Sequence, residues 1–171
     1  MTDEIETLRI EPVAKEHNRK NFTCKKQPLA DYLHRHAQQN DERNISKTFV
    51  VVDDKNTVQG YYSISSASIE FEELPEDYTR NIPKYPVPAA LIAKLAVDTN
   101  YEGQGLGSRL LIDALQRILT TSEQLAIKVV LVDAIDEEAK GYYLRFGFIE
   151  FPGHNLKLFL PIETISQLLV G

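Results

Sequence analysis

At 171 residues, 43% hydrophobic and 26% charged, the chain is long enough for one domain with a real core and too short for two comfortable ones. A net charge of -6 argues against a protein coated in basic surface, and the lone cysteine, Cys24, excludes an internal disulfide. No apolar run reaches the roughly 20 residues that a membrane-spanning helix needs, so no membrane partner is expected. Met1 to Glu6 is acidic and polar and does not read as a signal peptide, which with the single cysteine points to the cytoplasm. The charge is uneven: residues 15–47 hold eight Lys/Arg against four Asp/Glu, a local +4 that leaves -10 on the rest of the chain.

In chain order, residues 7–13 alternate Leu8, Ile10 and Pro12 with polar residues and predict an opening strand. Residues 15–22 read as a short polar helix or turn. Pro28 sits at a helix start, and Leu29, Tyr32, Leu33, His36 and Ala37 follow at helical spacing, ending near Asn40. Residues 48–52 and 58–66 are strands joined by the turn residues Asp53 to Asn56, hence an antiparallel hairpin. Residues 70–88, with five carboxylates followed by Arg80, Lys84 and three prolines, read as an ordered surface loop with room for a short helical turn; loops of that length are often functional. Residues 89–97 form a buried central strand and 105–119 a helix whose inner face is Leu106, Leu110, Leu111, Leu115 and Leu119. Residues 129–134 are another buried strand, 137–145 a short helix capped by Gly147, 148–151 and 156–160 a pairing strand set, and 162–170 a closing helix. The order predicts an α/β fold, one domain over residues 1–171, with a mixed sheet and helices on both faces.

Between the central strand and the leucine-rich helix lies Glu102-Gly103-Gln104-Gly105-Leu106-Gly107. A helix N-terminus leaves backbone N–H groups unpaired and carries partial positive charge, and glycines let an anion come close to it. The pattern predicts an anion cradle. It is not a P-loop, because Ser108 and Arg109 rather than Lys and Ser/Thr follow the last glycine, and its glycine spacing is wrong for a dinucleotide-binding turn.

On these residues the chain resembles the GNAT superfamily of acetyltransferases, whose turn reads Arg/Gln-x-x-Gly-x-Gly/Ala. Gly105 and Gly107 match; Glu102 departs from the usual Arg or Gln. Ala139-Lys140-Gly141-Tyr142-Tyr143-Leu144-Arg145-Phe146-Gly147-Phe148 is similar to the family's Ala-x-x-Phe-Tyr-x-x-x-Gly-Phe segment, with Tyr143 at the general-acid tyrosine. Phe22-Thr23-Cys24, Gly60-Tyr61-Tyr62 and Leu95-Ala96-Val97-Asp98 look like the branch that includes toxins of toxin–antitoxin pairs, which acetylate aminoacyl-tRNA.

The resemblance implies a GNAT-like fold and acetyl-CoA as co-substrate. It implies backbone contacts to the pantetheine arm from Leu95, Ala96 and Val97, and to the pyrophosphate from Glu102, Gly103, Gln104, Gly105, Leu106, Gly107 and Ser108. Tyr143 would protonate the departing thiolate. The acceptor is expected to be the α-amino group of aminoacyl-tRNA, with Lys25, Lys26, Arg35, Arg80 and Lys84 as substrate-binding residues. A small amine, peptide or protein terminus is the alternative acceptor, and a coenzyme-binding regulatory module without turnover is a second alternative, kept open by Glu102. A ribbon-helix-helix antitoxin and a homodimer are the implied partners. Asp98 and Asp133 are candidate bases by position but suit turns at strand ends. Cys24 suits a small buried filler rather than a nucleophile. His17, His34, His36 and His154 lack ligand spacing, so no metal is expected.

Overall fold

The computed structural model describes residues 7–170; the acidic stretch Met1 to Glu6 lies outside the described residues. The elements are β1 (Arg9–Pro12), α1 (Gln27–Arg35), α2 (Ala37–Glu42), β2 (Lys47–Val52), β3 (Val58–Ile69), β4 (Val87–Val97), α3 (Leu106–Thr121), β5 (Val129–Asp133), α4 (Glu137–Phe146), β6 (Ile149–Glu150), β7 (Lys157–Pro161) and α5 (Ile162–Val170). Short 3-10 turns cover Phe71–Glu73, Glu76–Tyr78 and Thr99–Tyr101. The sheet has seven strands in the order β1-β2-β3-β4-β5-β7-β6, the mixed α/β architecture expected. The chain packs as two units, Met1–Ser65 with Ala93–Leu115 and Ser66–Ile92 with Gln116–Gly171, so β3, β4 and α3 contribute to both.

In the first unit the β2–β3 hairpin forms as predicted, antiparallel from Lys47↔Ile64 to Val52↔Val58. Asp53 makes the turn: its Oδ1 accepts the N–H groups of Lys55 and Thr57, both at 2.9 Å. One face of the sheet packs Val50, Val52, Val58, Tyr61 and Ala96 on Ala30 and Leu33 of α1 and Ala37 of α2. The opposite face meets α3, since a Cβ added to Gly60 would stand 2.9 Å from Leu110 Cδ1 and 3.0 Å from Val51 Cγ1. Helices therefore cover both faces of this unit.

The single helix expected over 28–40 is two. His36 departs from helical geometry (φ -125°, ψ -28°), although the N–H of His36 still reaches Tyr32 O and that of Asn40 still reaches His36 O. After the break Ala37 is buried and the Asp41 carboxylate accepts the Thr48 N–H at 3.0 Å, tying α2 to the start of β2. Residues 15–22 form turns rather than a helix.

In the second unit β4 pairs in parallel with β5 from Ala89↔Val129 to Ile92↔Val132. The expected strand set at the C-terminal end forms, with Ile149↔Phe159 and Glu150↔Leu158 in register; β7 also pairs with β5, which makes it an interior strand. The loop over 70–86 is the ordered surface loop expected, with 3-10 turns at Phe71–Glu73 and Glu76–Tyr78, and part of it packs on the core. Leu74 is buried, Ile82 packs against the same cluster as Val129, Leu131 and Phe159, and Tyr78 meets Phe159 edge-on at 5.1 Å.

Candidate active site

The glycine turn joins β4 to α3. β4 pairs with β5 only as far as Ile92, so among the described residues its last stretch, including Leu95, Ala96 and Val97, has no β5 partner along that edge. Asp98 ends the strand. It is 3% exposed, and both carboxylate oxygens are engaged: Oδ1 accepts the Asn100 N–H at 2.9 Å and Oδ2 the Thr23 N–H at 3.1 Å. That geometry makes Asp98 a turn-former rather than a base. Gly103 and Gly105 have φ of 75° and 83°, values that favour glycine, and a Cβ on either would meet nothing within 4 Å. The helix that follows begins with buried Leu106, and the Arg109 N–H donates to Gly105 O at 3.1 Å. A helix N-terminus carries partial positive charge from its first N–H groups. An open, glycine-lined helix N-terminus fits the diphosphate of coenzyme A.

Glu102 is the irregular member. It lies in extended geometry just after the 3-10 turn, and its Oε2 is 3.9 Å from Lys25 Nζ. The carboxylate that departs from the family pattern thus has a cation beside it. Lys26 stands at the N-cap of α1 and Arg35 in its last turn. Cys24 is half-buried and its thiol donates to Lys26 O at 3.2 Å; burial pushes the thiol pKa up, which disfavours the thiolate a nucleophile needs.

The other candidate residues belong to the second unit. Arg80 is exposed and pairs with Asp77 at 3.1 Å; Lys84 is exposed. Asp133 is exposed at the end of β5. Tyr143 sits on α4, where Asp136 caps the start by accepting the Ala139 N–H and Gly147 ends it at φ 118°. The Phe148 N–H closes the cap on the Tyr143 carbonyl at 3.0 Å. The Tyr143 ring is 7% exposed and packs edge-on to Tyr142 and Phe148. Burial raises its phenol pKa well above the usual value, with Tyr142 adding to the effect, so the hydroxyl is protonated at neutral pH.

Two positioning features escaped the sequence reading. Thr23 is clipped to the turn by four contacts: besides its N–H on Asp98 Oδ2, its O accepts the Thr99 N–H at 2.9 Å and the Thr99 hydroxyl at 3.1 Å, and its hydroxyl donates to Thr99 Oγ1 at 3.4 Å. Lys140, one turn before Tyr143, is buried and donates to Glu150 Oε1 at 2.5 Å and Asn155 Oδ1 at 3.0 Å; Asn155 in turn donates to Glu137. A lysine on a polar helix face gives no sequence signal of burial. His17 is buried too, but as a structural residue: Nδ1 accepts the Ala14 N–H at 2.9 Å and Nε2 meets Glu11 at 2.6 Å.

Residues 44–150 match the model of the acetyltransferase (GNAT) domain. Over 170 residues the chain is 36% identical to the probable toxin TacT of Sinorhizobium fredii, covering 94% of each chain. Over 149 residues it is 34% identical to the tRNA-acetylating toxin of Mycobacterium tuberculosis, covering 87% of this chain and 89% of that one. The structure of AtaT complexed with acetyl-methionyl-tRNAfMet has a TM-score of 0.89 at 26% identity, over 95% of this chain and 99% of that one. The structure of AtaTR bound with acetyl-CoA has a TM-score of 0.86 at 26% identity, over 96% and 99%. With its family domain spanning most of the sequence and its relatives aligned nearly end to end, the chain belongs to the GNAT family of acetyltransferases.

Proposed function

We propose that residues 1–171 work as one N-acetyltransferase domain that moves an acetyl group from acetyl-CoA to the α-amino group of aminoacyl-tRNA, as the toxin of a toxin–antitoxin pair. The observation that carries this reading is the open glycine turn at the head of α3, with left-handed Gly103 and Gly105, in a chain 34% identical to a tRNA-acetylating toxin. The coenzyme supplies an activated acetyl thioester. The chain's own residues would hold and orient it: the backbone from Gly103 to Ser108 would bind the pyrophosphate, and that of Leu95, Ala96 and Val97 the pantetheine arm. Tyr143 keeps its proton until a thiolate needs it; its buried, protonated phenol supports that role.

An α-amino group has a pKa near roughly 8, so much of it is neutral at cellular pH and no strong base is required. That agrees with Asp98 being fully occupied by backbone donors. Lys26 and Arg35, within the basic segment 15–47, are the acceptor-side cations of the first unit, and Arg80 and Lys84 those of the second. A ribbon-helix-helix antitoxin and a cytoplasmic setting belong to the same reading. Among the described residues no helix is long and apolar enough to cross a membrane.

The test is direct. Purified protein is incubated with labelled acetyl-CoA and charged tRNA, and the aminoacyl ester is assayed for acetyl label. Label on the amino acid is expected. Transfer to small amines with none to charged tRNA would sink the tRNA reading and leave the acetyltransferase.

A further inference from the structure

Glu102 places a negative charge one residue ahead of Gly103, at the edge of a site that must accept a doubly charged diphosphate. Its side chain is about one-third exposed, at 34%, and Lys25 Nζ is 3.9 Å from Oε2. Lys25 extends from a segment held against the turn. Thr23, two residues earlier, gives its N–H to Asp98 Oδ2 and takes the Thr99 N–H and hydroxyl on its carbonyl. Cys24, between the two, senses the local field: beyond burial, the charges of Asp98 and Glu102 both raise its thiol pKa. This edge of the turn is therefore negative, and the clipped segment brings Lys25 to it.

We propose that Lys25 is a coenzyme-side positioning residue: from the segment ahead of α1 it supplies the positive charge that the turn itself lacks, and so offsets Glu102 against the pyrophosphate. The proposal rests on the coenzyme reading of the turn and moves Lys25 from the tRNA side to the acetyl-CoA side. An isolated surface pair of this length contributes little to folding. Its effect is felt when a third, strongly charged group arrives within a few ångströms of both partners.

The experiment is a double-mutant cycle read by calorimetric titration with acetyl-CoA at low salt, on wild type, K25A, K25R, E102Q and K25A/E102Q. Lys25→Ala should weaken acetyl-CoA binding about fivefold, while Lys25→Arg should stay within about twofold of wild type. In the Glu102→Gln background the same Lys25→Ala change should cost less than about twofold, because no carboxylate then holds the exposed ammonium at the turn. The difference should close near 1 M salt, where screening acts within about 3 Å. At saturating acetyl-CoA, Lys25→Ala should leave the KM for aminoacyl-tRNA unchanged. Equal losses in both backgrounds, unchanged coenzyme affinity, or a raised KM for tRNA alone would each overturn the assignment. Lys25 is 64% exposed, so folding is not at stake. No acetyl-CoA binding by the wild type would instead remove the coenzyme reading itself, an outcome distinct from any pattern among the variants.

Discussion

At the scale of single residues, burial raises the Tyr143 phenol pKa and keeps the hydroxyl protonated at neutral pH, the state that the proposed general acid requires. Tyr143→Phe removes that proton and keeps the ring packing on Tyr142 and Phe148. Single-turnover acetylation should slow about a hundredfold or more, with the acetyl-CoA dissociation constant unchanged; a rate within about threefold of wild type would take Tyr143 out of the chemistry. Glu11 and Glu163 are carboxylates whose pKa the fold lowers, and Glu11 is the one paired with a buried histidine. The hydrogen bond from buried His17 lowers its pKa below the usual 4.5, and the Arg9 charge adds to this against the cost of burial. A carboxylate with a lowered folded-state pKa contributes stability that is complete above its unfolded value and is lost as pH falls through the folded one. Thermal unfolding followed from pH 7 to pH 3 should therefore show the pair's contribution disappearing below about pH 4.5. Glu11→Gln should start lower at pH 7 and fall less steeply over that interval. Parallel curves for the two proteins would assign the acid limb to other carboxylates.

At the scale of elements, α3 and β4 meet at a position where there is no room for a side chain. A Cβ on Gly60 would approach Leu110 Cδ1 to 2.9 Å and the Ala96 carbonyl oxygen to 3.1 Å. The leucine methyl can rotate aside, but the carbonyl moves only with β4. Gly60→Ala should destabilise the protein by about 1–3 kcal/mol in denaturant unfolding. It should also weaken acetyl-CoA binding, because both displaced elements border the glycine turn. Stability within about 0.5 kcal/mol of wild type would mean that the strand gives way at no cost. The parts of the site legible in the sequence are those set by local chemistry: an apolar strand, glycines forced to positive φ, leucines at helical spacing, and Gly147 closing the helix of Tyr143. The illegible parts depend on residues brought together from afar. Periodicity ran through His36 because its hydrogen bonds persist while its dihedrals do not. Lys140 looks solvent-facing until Glu150 and Asn155 fold onto it. Glu102 reads as a defect in the motif until Thr23 draws Lys25 to its side.

At the scale of the whole molecule the charge distribution decides how a polyanion can approach. The net charge of -6 repels RNA at long range, yet residues 15–47 carry a local +4 and all lie in the first unit. A protein that holds a nucleic acid through a few lysines and arginines releases counterions on binding, and the affinity falls with salt by roughly 0.7–0.9 of a log unit per log unit of salt for each phosphate neutralised. About three neutralised phosphates predict a KM for aminoacyl-tRNA that rises about twentyfold to fortyfold between 50 and 200 mM salt. Measured at saturating acetyl-CoA, this dependence isolates the RNA from the coenzyme. Replacing Lys26 and Arg35 by Gln should make the slope shallower by about one to two units without changing the salt response of acetyl-CoA binding. A KM that is flat across that salt range would show that the basic segment is only a solvated face. The -10 on the rest of the chain sharpens the experiment, since a diffuse attraction spread over the surface has no source in this composition. A steep slope can then come only from a local contact, and the variants locate it on α1 or exclude it from there.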